Sequence, residues 1–200
     1  MKRYTKSTQQ KMSMHYKRGV PSKINQEFSA RRVDAAFISS IGAKKYKNIA
    51  LGIVAKREVL SVLVIPNESS KKDAESASSN VLANILKVQG EVLIGDKALR
   101  YYLEKKPFID LAKEWSERYN LPFVFALLCY HKDRAYYTNV EKNFLKRKVY
   151  IPQYILKEAS QRTSIKTTDI LHYLKYISYE IDTKAQLGLK KFYHLNATQK

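Results

Sequence analysis

Short apolar runs alternate with amphipathic stretches through the first two thirds of this chain, and the last third is helical in pattern throughout. Residues 1–18 show no periodicity and read as loop or frayed helix. Gly19-Val20-Pro21-Ser22 supplies a turn and a cap, and Ile24 and Phe28 then share one face, which predicts a helix up to Arg32. Val33 to Ser40 alternates like a strand, with Ala35, Phe37 and Ser39 on one side. Ala50 to Ala55 is a second apolar run. Val59 to Ile65 predicts a buried strand, stopped by Pro66-Asn67, and the polar segment Asn67 to Lys72 reads as a connection. A helix is predicted from Ser78 or Ser79 through Leu82, Ile85 and Leu86 to Gly90. Glu91 to Ile94 is a short strand, followed by helices through Ala98, Leu99 and Tyr102 and over Phe108 to Tyr119. Leu121 to Leu128 is the most apolar run and suits a buried strand. Helices are then predicted over 134–147, 152–162, 167–181 and 184–194, with Pro152 at a helix start and Ile170, Leu171, Leu174, Ile177 and Ile181 at helical spacing. Strands alternating with helices, then helices alone, indicate α/β architecture.

Composition narrows the class. Two hundred residues, 44% of them hydrophobic, can build one substantial core or two small lobes without metal or disulfide staples. The single cysteine, Cys129, allows no internal disulfide and fits a reducing compartment. No apolar run approaches the roughly 18 residues that a membrane span needs. The polar, basic start is no secretory signal, so the expectation is a cytoplasmic protein with no membrane partner. The net charge of +19 is uneven: residues 1–60 carry +11, residues 61–130 carry 0 and residues 131–200 carry +8. Such an excess draws anions of many kinds. Runs such as Lys44-Lys45-Tyr46-Lys47 and Lys146-Arg147-Lys148 read first as solvated faces.

Standard catalytic signatures are missing: there is no nucleophile elbow, phosphate loop, dinucleotide fingerprint or zinc helix. His15, His131, His172 and His194 are scattered, so no metal site and no cofactor is expected. Cys129 lies in an apolar strand and reads as a buried, inert thiol. The serines carry more. Ser76-Ala77-Ser78-Ser79-Asn80 opens an apolar-periodic helix, where hydroxyls beside free N–H groups suit a carboxylate or phosphate. The plainer reading is an N-cap, which needs only one serine. Ser61 is polar inside an apolar strand and needs a hydrogen-bond partner, either backbone or ligand. Ile94-Gly95-Asp96 ends a strand and opens a helix, an edge where ligands commonly bind in open α/β sheets. The plainer reading has Gly95 turn the chain and Asp96 cap the helix. From the residues alone, the chain reads as a cleft protein for a small anion.

Three ordered blocks sharpen this. Val92-Leu93-Ile94-Gly95-Asp96-Lys97-Ala98-Leu99, Asp110-Leu111-Ala112-Lys113-Glu114-Trp115 and Leu121-Pro122-Phe123-Val124-Phe125-Ala126 resemble the chorismate dehydratase family of menaquinone biosynthesis. Pro21-Ser22-Lys23-Ile24-Asn25, Val33 to Ser40, Val59-Leu60-Ser61-Val62 and the Ser76 to Ser79 cluster extend the match over about residues 19–130. The resemblance implies a two-lobed fold like type II periplasmic solute-binding proteins, with a helical C-terminal region. Lobe one would be residues 1–65 plus 126–200 and lobe two residues 66–125, joined near Val64–Asn67 and Phe123–Leu127. It implies removal of water from chorismate to give 3-[(1-carboxyvinyl)oxy]benzoate, in the futalosine route, with no cofactor and no nucleic-acid partner.

Residue by residue, the resemblance makes Ser61 the candidate for a catalytic hydrogen bond. Ser78 and Ser79 would grip a carboxylate, and Ser39, Gly95 and Asp96 would complete the substrate site. A substrate carboxylate would serve as the base. Family members begin with a strand whose asparagine is a principal active-site residue, and this sequence starts downstream of it, so lobe one is expected to lack that strand. Three other classes remain: the sister enzyme that makes 1,4-dihydroxy-6-naphthoate, a non-catalytic small-anion-binding paralogue, and a nucleic-acid binder built on the basic excess.

Overall fold

A computed structural model describes residues 19–146 and 150–198, and shows a mixed α/β chain built on two antiparallel sheets. Helix α1 (Pro21–Ser29) leads into β1 (Ala35–Ser39), the short helix α2 (Ser40–Ala43) and β2 (Lys47–Ala55). Then come β3 (Val62–Ile65), α3 (Ala77–Leu86), β4 (Glu91–Ile94), α4 (Gly95–Leu103), β5 (Ile109–Asp110), α5 (Leu111–Tyr119) and β6 (Phe123–Tyr130). Helices α6 (Arg134–Leu145), α7 (Gln153–Thr163) and α8 (Thr167–Tyr173) follow, then a 3-10 turn at Leu174–Tyr176, β7 (Ile177–Glu180) and α9 (Thr183–Thr198). The larger sheet has the order β1-β6-β2-β7 and the smaller one β4-β3-β5. The predicted N-terminal loop lies outside the described residues.

Strand β6 organises the larger sheet because it is apolar on both faces. It pairs Ile38 with Leu127 and Ala36 with Cys129 on one side, and Gly52 with Leu127 on the other. Burial there pushes the Cys129 thiol up to about 12, so it stays protonated and inert as expected. Helix α9 crosses the start of β6 at very close range. A Cβ on Gly188 would stand 2.1 Å from the Pro122 carbonyl oxygen. Beneath it, Trp115 is fully buried with its ring 4.5 Å from Tyr119, 5.3 Å from Phe123 and 6.1 Å from Phe192. These rings join Val62, Val64, Leu82, Leu86 and Leu111 in the principal core. A second core gathers Phe28, Ile38, Val54, Leu127 and Ile181.

Several expectations are corrected. The strand predicted over Val59–Ile65 begins only at Val62, because Leu60 takes a left-handed backbone with φ +61°. Asp110 enforces that turn. Its Oδ2 accepts from the Val59 and Leu60 N–H groups at 2.9 and 2.8 Å, and its Oδ1 caps α5 by accepting from Ala112 and Lys113 at 2.9 and 3.1 Å. Burial pushes the Asp110 carboxyl above its ordinary value, while the four N–H bonds draw it back down. The helix predicted over Phe108–Tyr119 therefore starts at Leu111, after the two-residue strand β5. The helix predicted over 167–181 ends at Tyr173, since Ile177–Glu180 pairs with β2 instead. Helix α1 begins at Pro21 with Val20 as its cap, rather than at Ser22.

Three outcomes follow. Replacing Asp110 by alanine removes a cap and orphans two buried N–H groups, and should lower stability by about 3–5 kcal/mol in denaturant unfolding. Gly188→Ala should also destabilise, by about 1–3 kcal/mol, because the backbone clash outweighs the roughly 1 kcal/mol that alanine gains in a helix. Cys129 should resist thiol reagents at pH 8 in the folded chain and react on unfolding.

Candidate active site

The six predicted site residues fall into two groups. The first is built where β3 meets β4. Ser61 directly follows the Leu60 turn, and the Gly95 N–H donates to the Ser61 carbonyl at 2.8 Å. Gly95 has φ +63°, and a Cβ there would meet nothing within 4 Å, so this side of the turn is open. Asp96 stands exposed in the first turn of α4, where its charge suits the helix dipole. It does not cap the helix: the N-cap is Ile94, which makes no side-chain hydrogen bond. Ser61 is itself buried, and its Oγ lies 3.0 Å from the Tyr173 phenolic oxygen of α8. Burial raises the Tyr173 phenol above its ordinary value, the Ser61 bond lowers it, and the nearby Tyr179 and Asp96 add to the rise.

The second group lies where α1, β1 and α2 meet α3. Ser76 is the N-cap of α3. Its Oγ accepts from the Ser79 N–H at 3.3 Å and donates to the Ser79 hydroxyl at 2.7 Å. Ser78 points elsewhere. Its Oγ lies 2.9 Å from the Ser40 hydroxyl and accepts from the Ile41 N–H at 3.2 Å. Ser40 is fully buried, and the Tyr193 hydroxyl donates to its carbonyl at 2.8 Å. Ser39 is gripped by Asn25, whose Nδ2 donates to Ser39 Oγ at 3.0 Å while its Oδ1 accepts from the Ser39 N–H at 3.3 Å. Accepting from Asn25 leaves the Ser39 O–H to donate to another acceptor. Thus Ser39 and Ser78 meet through the consecutive pair Ser39-Ser40. No hydrogen bond joins this group to Ser61 or Gly95 among the described residues.

Four residues in this arrangement escaped the sequence reading as site residues. Asp110 and Asn25 were visible only as parts of matched blocks. Ser40 looked like the end of a strand, and Tyr173 sits off the apolar stripe of its helix. An open cavity of about 320 Å³ lies behind the Leu60 turn, lined by Arg57, Glu58, Leu60, Phe108, Asp110 and Lys113. It shares the turn with Ser61 but holds none of the predicted site residues. Among the described residues no three potential metal ligands cluster. His131 stacks on Phe28 at 4.0 Å and bonds its carbonyl oxygen at 2.8 Å, a packing role. No helix among the described residues is long and apolar enough to cross a membrane.

Known proteins resemble this chain over most of its length. A family model described as menaquinone biosynthesis matches residues 79–198, a span that includes Gly95, Asp96, Asp110 and Tyr173. Chorismate dehydratase from Campylobacter jejuni subsp. jejuni serotype O:23/36 (strain 81-176) is 46% identical over 196 residues, covering 96% of this chain and 88% of that protein. The crystal structure of an Archaeoglobus fulgidus protein superimposes with a TM-score of 0.64 at 16% identity, over 90% of this chain and 84% of its own, a likeness of fold alone. With more than half of its length matched by the family model and close identity to a curated relative, the chain belongs to the chorismate dehydratase family of menaquinone biosynthesis.

Proposed function

We propose that this chain is a chorismate dehydratase, a hydro-lyase that converts chorismate to 3-[(1-carboxyvinyl)oxy]benzoate and water in the futalosine route to menaquinone. The observation that carries this reading is the 46% identity to the Campylobacter enzyme across nearly the whole chain. The reaction breaks a ring C–H bond and the neighbouring C–OH bond. The C–H electron pair becomes the third ring double bond, and the hydroxyl leaves as water with the proton. Aromatisation drives it, so the protein needs to supply mainly positioning and hydrogen bonds.

In this reading the two groups face one cleft of a fold like the type II periplasmic binding proteins. Lobe one carries the larger sheet and lobe two the smaller. The joins expected near Val64–Asn67 and Phe123–Leu127 fall on β3 and β6, and the pairing of β3 with β4 and β5, and of β6 with β1 and β2, favours crossing points near Arg57 and Asn120 instead. The Ser39 O–H and the first turn of α3, with Ser78 and Ser79, hold a substrate carboxylate. Gly95 gives backbone access, and Asp96 lies at the rim. Ser61 donates a hydrogen bond to the departing hydroxyl. The second substrate carboxylate removes the ring proton. The free, buried Cys129 fits a cytoplasmic setting.

The test is incubation of the purified chain with chorismate, following the benzoate product by mass spectrometry. Product above the uncatalysed background is expected, and its absence would remove the reading. Ser61→Ala should lower kcat roughly 100-fold, the scale of one lost transition-state donor. Undiminished turnover in that variant would remove Ser61 from the mechanism.

A further inference from the structure

The partner of Ser61 comes from the other end of the chain. Tyr173 lies 112 positions downstream, yet its phenolic oxygen is 3.0 Å from Ser61 Oγ. The contact is built rather than incidental. Leu60, Leu99 and Ile165 form a small core with Tyr102, Ile170, Tyr173 and Tyr176 packed on it. The Arg100 guanidinium of α4 ties down the same segment by donating to the Thr163 carbonyl at 2.9 Å. Asp110 fixes the Leu60 turn on the other side. Both members of the pair are therefore held by packing and hydrogen bonds of their own.

Either hydroxyl could donate in this bond, and acidity favours one sense. A phenol is a stronger donor than an aliphatic alcohol, which favours the arrangement in which the Tyr173 O–H donates and Ser61 Oγ accepts. In that arrangement the serine proton points to another acceptor, and the accepted bond polarises it.

We propose that Tyr173 is a positioning residue for the dehydration: by donating to Ser61 Oγ it orients the serine hydroxyl and strengthens it as a donor to the departing hydroxyl of the substrate. The role rests on the functional reading given above and extends it to the C-terminal helices. Tyr173 acts through Ser61 and does not touch substrate. The phenol keeps its proton through the neutral range, because burial and the neighbouring Asp96 and Tyr179 all favour the neutral form.

Tyr173→Phe tests this, since it keeps the ring and its packing and removes one oxygen. In the full chain kcat should fall about 3–10-fold, the worth of one hydrogen bond, with KM changed less than about twofold. The melting temperature should drop by no more than about 4 °C. In a Ser61→Ala background the same substitution should alter kcat by less than about twofold, because the route through Ser61 is already gone. Undiminished kcat in Tyr173→Phe, or equal losses in both backgrounds, would overturn the proposal while leaving the functional reading in place. A wild-type chain that does not turn over chorismate would overturn the functional reading, and this role with it.

Discussion

The buried carboxylate of Asp110 is the constraint on which the proposed site depends. One oxygen starts α5, and the other gathers two N–H groups from the segment ahead of β3. A bulky residue such as Leu60 rarely adopts positive φ without compensation. Here two charge-assisted bonds provide it. The turn makes the strand begin three residues late and delivers Ser61 to the start of β3, where its carbonyl meets Gly95 and its hydroxyl meets Tyr173. Asp110 thus sets the position of Ser61 while its own oxygens are engaged by backbone N–H groups.

Much of the fold could be read from periodicity. Strands β4 and β6 and helices α3 and α4 lie close to where apolar spacing puts them, since each carries an apolar run or face that its own segment makes plain. The failures have a common cause. Val59 and Leu60 continue an apolar pattern, and only a carboxylate 50 residues away breaks it. Ile177 and Ile181 satisfy helical spacing as well as a strand does, and the pairing of β7 with β2 decides between them. Local pattern does not carry that long-range pairing.

The site was legible as residue types but not as connections. Ser61 stood out as polar inside an apolar strand, Ser78 and Ser79 as hydroxyls at a helix start, and Ser39 through the family resemblance. Their partners Asn25, Ser40 and Tyr173 did not, for each is unremarkable in its own segment. The serine cluster shows the difference well. Three serines crowd one helix start, and the structure separates them into a cap with its partner, Ser76 and Ser79, and a link to α2, Ser78.

The distance in sequence between Ser61 and Tyr173 also bears on how the protein is made. During synthesis β3, β4 and the Asp110 turn can form once the middle of the chain has left the ribosome. The serine hydroxyl then waits without its partner until α8 emerges. In the proposed site the partner of Ser61 is thus among the later parts of the chain to be made, as are the Ile181, Ala185 and Phe192 that close the two cores.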